Sequence, residues 1–146
     1  MKPVFLLLAS LAALQAQTAH NVFLEDLTWT EVRALIQNGT TTVLIPTGGI
    51  EQNGPHMVLG KHNYRVRYAA EQIARKLGKT LVAPVVPYAP QGNFNMKYPG
   101  TIDFPDEYWR KLLEHIARSL RQHGFMVLKI WSSCATAGPI PLGFER

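Results

Sequence analysis

Apolar positions along this chain alternate between a helical rhythm and short unbroken runs. Val32, Leu35 and Ile36 recur at helical spacing. Thr28 stands ahead of them with Glu31 three residues later, the pairing of a capping box, and Leu27 before the cap can staple onto Val32. Asn38-Gly39 then marks the stop. Residues 41–46, TTVLIP, are mostly apolar and do not alternate, as in a strand covered on both faces. A second helix is predicted from an N-cap at Asn63, with Val66, Ala70, Ile73 and Leu77 along one face and Gly78 closing it. TLVAPVV, residues 80–86, reads as a second buried strand and runs into a loop rich in Pro, Gly and Asn. A third helix starts near Pro105-Asp106, carries Trp109, Leu112, Leu113, Ile116, Ala117 and Leu120 on its apolar face, and ends at His123-Gly124. FMVLKIW, residues 125–131, is the third strand.

This alternation predicts an α/β fold: a parallel sheet with helices on both faces, three layers in all. Ligands of such sheets sit at the carboxyl ends of the strands. Two polar, Gly- and Pro-rich loops meet that condition, residues 46–63 and 87–104. The segment after the third strand, SSCATAGPIPLGFER, is apolar, has no Asp or His, and carries its one Glu as the penultimate residue. Doubly wound folds usually have more than three strands, so the domain is expected to be incomplete at its C-terminus.

Composition narrows the class. At 146 residues, 47% apolar and 17% charged, the chain reads as one globular domain. The net charge of +5 is spread over predicted helices near Glu71 and Glu114, which reads as solvated helix faces. No basic run interleaves with aromatics, so a nucleic-acid partner is not expected. Residues 1–19 have the form of a signal peptide, with Lys2 as the n-region, Val4 to Leu14 as the h-region and small residues at Ala16 and Ala19. The h-region is too short for a bilayer, which needs about 20 apolar residues. The expected location is secreted or periplasmic, with no membrane association after cleavage. Cys134 is the sole cysteine, so no intramolecular disulfide can form, and no catalytic role is expected of it.

The candidate chemistry lies in the first loop, where Glu51, His56 and His62 fall within a dozen residues. Carboxylate and imidazole ligands suit Zn²⁺ or Mn²⁺. Spacing alone favours the plainer alternative, a capping carboxylate beside ordinary surface histidines. Gly48, Gly49 and Gly54 fit tight turns. They form neither a GxGxxG nor a Walker A pattern, and there is no GxSxG elbow, so nucleotide binding and serine hydrolase chemistry lack support.

The stretch LIPTGGIEQNGPHMVLGKH resembles the signature of the creatininase family, roughly L-P-x-G-S-x-E-Q-H-G-P-H-L-P-L-x-T-D. APVVPYAPQGN, YPGTIDFP and LEHIARSLRQHGFMVLKI extend the resemblance over roughly residues 25 to 130. Members of that family are α/β hydrolases with a two-metal centre, often zinc or manganese, that cleave amide bonds, commonly in cyclic substrates. The resemblance makes Glu51 a metal ligand. Asn53 stands where the family has a histidine ligand, and His62 where it has the aspartate bridging both metals. His56 matches a loop-shaping histidine. The family's next ligands follow the third strand, where this chain has WSSCATAG, with neither His nor Glu.

These departures have physical weight. A neutral imidazole offers one lone pair and cannot bridge two cations, and an asparagine carbonyl is a poor zinc ligand. The resemblance thus implies either a rearranged, mononuclear site held by Glu51 and His62 or one that has lost its metal. Asn53 and His56, with the loop carrying Asn93, Gly100 and Thr101, are expected to form the substrate pocket. No general base is identified. The tail, residues 131–146, leaves the family pattern, so a truncated or frameshifted product is expected. The implied function is metal-dependent hydrolysis of an amide bond in a small molecule. A non-catalytic α/β binding protein and an inactive gene fragment are the alternatives. Family members commonly assemble into hexamers, which implies a homo-oligomer.

Overall fold

The computed structural model describes residues 21–132; the expected leader, and the tail from residue 133 on, lie outside the described residues. A 3-10 turn at Leu24–Asp26 leads into α1 (Trp29–Gln37), β1 (Thr42–Thr47), α2 (Lys61–Leu77), β2 (Thr80–Val82), the short α3 (Gly92–Met96), α4 (Asp106–Gln122) and β3 (Val127–Ser132). The three strands form one sheet in the order β2-β1-β3, every pairing parallel. Thr42 aligns with Thr80 on one side and with Val127 on the other.

The central strand is covered on both faces, which explains its lack of alternation. Val43 and Ile45 point into a cluster with Trp109, Leu113, Ala117 and Leu120 of α4, against which Val32, Leu35 and Ile36 of α1 pack. Leu44 points the other way, into a smaller cluster with Ala70 and Ala74 of α2. The expected three-layer α/β architecture is therefore the one observed.

Helix ends follow their local chemistry. The Thr28 hydroxyl accepts from the Glu31 N–H at 3.4 Å, and Glu31 Oε2 accepts from the Thr28 N–H at 2.7 Å, a complete capping box. At the other end Gly39 has φ of +87°, and the Thr40 N–H reaches the Leu35 carbonyl while that of Gly39 reaches Ile36. That pair of bonds is a Schellman stop, repeated at the end of α4 by Gly124 and Phe125. Four Arg or Lys side chains pair with carboxylates one turn earlier on the same helix, Arg75–Glu71, Arg110–Asp106, Lys111–Glu107 and Arg118–Glu114, as solvated helix faces do.

Three sequence expectations shift. The helix expected to be capped by Asn63 begins at Lys61, with Gly60 in the cap position and no side-chain cap bond. Its inward stripe is His62, Val66, Ala70 and Ala74, at a spacing of four, whereas Ile73 and Leu77 are exposed. Two alanines on that stripe let the helix lie close to the sheet, and the stripe carries His62 to the carboxyl end of β1. The second strand is interrupted. Ala83 N–H donates to the Leu44 carbonyl, and the next ladder bond comes from Val86 N–H to Pro46. Three residues there answer two on β1, a bulge at Pro84, which has no N–H to give. The 87–104 loop leaves the sheet just past this bend.

The capping box sets a test of the α1 assignment. Thr28→Ala is expected to cost about 1 kcal/mol of stability in denaturant unfolding. Donation by the Thr28 N–H, and then by its hydroxyl, holds the Glu31 carboxyl below its ordinary pKa of 4.5. A lowered folded pKa means the contribution is complete above about pH 4.5 and fades as pH falls through the folded value. Thermal midpoints recorded from pH 7 to 3 should therefore fall more steeply below pH 4.5 for the native chain than for Glu31→Gln; parallel curves contradict the capping role.

Candidate functional site

Where β1 ends, its chain must pass a narrow gap. A Cβ on Gly48 would lie 1.8 Å from Asn63 Oδ1, and one on Gly49 would lie 2.7 Å from Gln91 Nε2. Only glycine fits at Gly48. Asn63, freed from capping duty, accepts the Gly49 N–H at 2.9 Å through Oδ1 and fixes the turn. Beyond it the first loop is clasped by the second. The Ile102 N–H donates to the Ile50 carbonyl at 3.0 Å, and Gly100, at φ of +89°, packs so closely on Leu59 that a Cβ would sit 2.4 Å from its Cδ1.

Glu51 is held inside this clasp at 7% exposure, next to His62 at 6%. Glu51 Oε1 lies 2.7 Å from His62 Nε2. Asn95 Nδ2, from α3, donates to the other oxygen, Oε2, at 2.7 Å. Burial lowers the His62 pKa first, the nearby Lys61 charge lowers it further, and Arg65 adds to this; Glu51 opposes them. Burial thus favours the neutral imidazole, the form in which one ring nitrogen keeps a lone pair.

The other candidates sit elsewhere. Asn53 braces the loop: its Nδ2 donates to the Glu51 main-chain carbonyl at 3.2 Å, and its Oδ1 accepts from Lys61 Nζ. His56 is exposed beside Gly54 and does not join the pair. Asn93 is exposed on α3, and Gly100 serves as the contact with Leu59. The Thr101 hydroxyl is buried without a hydrogen-bond partner, while its N–H donates to Tyr98. Sequence reading missed Asn95, two residues past Asn93, because nothing in the loop announces the helical turn that separates their directions. It also took Asn63 for a cap, and passed over Lys61 and Gln91.

One oxygen and one nitrogen converge here, so the pair could supply two of the ligands of a single divalent cation. It does not fit a two-metal centre: among the described residues no three His, Cys, Asp or Glu side chains are grouped to hold an ion, and an imidazole stands in the bridging position.

The family model for creatinine amidohydrolase matches residues 25–133. The chain belongs to the creatininase family. It is 28% identical over 109 residues to the creatinine amidohydrolase of Pseudomonas putida, covering 71% of this chain and 41% of that protein. It is 29% identical over 105 residues to the 3-dehydro-scyllo-inosose hydrolase of Thermotoga maritima, covering 71% of this chain and 33% of that one. A mutant creatininase of Zn–Zn type superposes with a TM-score of 0.71 at 26% identity, and a manganese creatininase with 0.69 at 27%; each match covers 75% of this chain and 44% of the other. This creatininase-family chain thus spans less than half the length of these relatives.

The packing of Gly48 on Asn63 makes a direct prediction. Gly48→Ala should destabilise the fold by about 1–3 kcal/mol through overpacking. Combined with Asn63→Ala, much of that loss should return, giving a coupling of about 0.5–3 kcal/mol in a double-mutant cycle by urea unfolding. Additive losses contradict the close approach.

Proposed function

We propose that this creatininase-family chain is a metal-dependent hydrolase that cleaves an amide C–N bond in a small molecule, cyclic amides included, using one Zn²⁺ or Mn²⁺ held by Glu51 and His62. The contact between Glu51 Oε1 and His62 Nε2 at 2.7 Å, buried at the carboxyl end of the central strand, carries this reading. The zinc and manganese creatininases among its structural relatives support the choice of ion.

A cation bound there supplies a Lewis acid for the amide carbonyl and acidifies water. The protein's part is placement. Burial of Glu51 and His62 keeps bulk water from competing for their lone pairs and keeps the imidazole neutral, the form that ligates. Asn95 fills Oε2 and turns Oε1 toward His62. Asn53, braced by Lys61, closes the loop over the pair. The substrate is taken to enter between the 46–63 and 87–104 loops. Export of the chain is part of the proposal, supported by the Lys2 and Val4–Leu14 pattern. So is homo-oligomer assembly, on the family resemblance.

A second reading, small-molecule binding without hydrolysis, is favoured by one observation. Among the described residues no third His, Cys, Asp or Glu completes the site. Metal titration of the purified full chain decides between them. The hydrolase reading expects about one equivalent of Zn²⁺ or Mn²⁺, turnover of a small cyclic amide, and loss of at least about 100-fold in metal affinity in Glu51→Gln or His62→Ala. A chain that takes up neither ion yet binds the amide supports the second reading and ends the first.

A further inference from the structure

The orientation of the Glu51 carboxylate is set by a one-way chain of amides. Gln52 Oε1 accepts the Gly54 N–H at 2.9 Å. A backbone N–H can only donate, so this bond fixes which end of the Gln52 amide is oxygen. Its other end, Nε2, must then donate, and it does so to Asn95 Oδ1 at 3.3 Å. With Oδ1 occupied as an acceptor, Asn95 presents Nδ2 to Glu51 Oε2 at 2.7 Å, and the second Nδ2 proton points to the Gln91 carbonyl at 3.4 Å. Each amide along the path is locked in one sense by the bond before it.

We propose that Asn95, aligned through Gln52 by the Gly54 N–H, is a positioning residue: it engages Glu51 Oε2 and leaves Oε1 turned to His62 and to any cation the pair takes up. The proposal rests on the metal-binding reading of Glu51 and His62, and extends it to a residue on a different loop. The same contact ties α3 to the site: Asn95 bonds to Glu51, to Gln52 and to Gln91, whereas its neighbours Phe94 and Met96 are exposed. Outer partners of this kind are typically worth tenfold to 100-fold in metal affinity.

Two readouts on the full chain test it. Without metal, the Asn95 side-chain amide protons should resonate downfield of those of exposed Asn93, and Glu51→Gln should move them back. With Mn²⁺ titrated calorimetrically, Asn95→Leu, which keeps volume and loses the donor, should bind about tenfold to 100-fold more weakly than the native chain. Gln52→Leu should weaken binding in the same direction by less, and serves if Asn95→Leu fails to fold. Native Mn²⁺ affinity in both Leu variants overturns the positioning role and leaves the metal reading standing. A native chain that binds neither Mn²⁺ nor Zn²⁺ ends the metal reading instead. The Asn95 resonances then decide the orientation of Glu51 alone: shifted, the amide chain holds; coincident with those of Asn93, it fails.

Discussion

A carboxylate taken out of water must be met by donors, because an uncompensated buried charge costs several kcal/mol. Glu51 is such a group, and the surrounding loops are arranged around that demand. One oxygen faces His62 and the other receives Asn95. Its backbone N–H is tied to the Leu59 carbonyl and its own carbonyl to Asn53. Removing any one partner leaves charge or dipole exposed to a poorly polarisable surrounding, so the loop has little freedom to choose another shape.

The sheet supplies the fixed points from which these partners reach. β1 is covered by α1 and α4 on one face and by α2 on the other, which leaves its carboxyl end as the open place. The helix stripe His62–Val66–Ala70–Ala74 presses α2 to the sheet, and that same stripe presents His62 to Glu51. The bulge at Pro84 redirects the second loop so that Asn95 arrives from the opposite side. Packing and chemistry thus share residues: the position that buries α2 also determines where its imidazole lies.

How much of this was legible in the sequence follows from how local each signal is. The α1 cap, the two glycine stops and the unbroken apolar run of β1 are decided within a few residues, and all were readable. The inward face of α2 was partly misread, because Ile73 and Leu77 are more apolar than Ala74, and hydropathy says nothing of how closely a helix can approach a sheet. Asn63 fits the composition of a cap, but its oxygen is committed to Gly49, a partner fourteen residues away. The interest of Glu51 and His62 as a pair came from motif resemblance, and the structure brings the two side chains into contact; spacing alone favoured a polar loop. Asn95 was out of reach, since its role depends on a tertiary contact across 44 residues and on a short helical turn with no periodicity to reveal it.

The central claim is that Glu51 and His62 together hold one cation. A crystal of the full chain soaked in Mn²⁺ and measured at the manganese absorption edge addresses it directly. The account predicts a single anomalous peak about 2.0–2.2 Å from Glu51 Oε1 and His62 Nε2. A peak elsewhere, or none while the 2.7 Å contact between the two side chains persists, would contradict it.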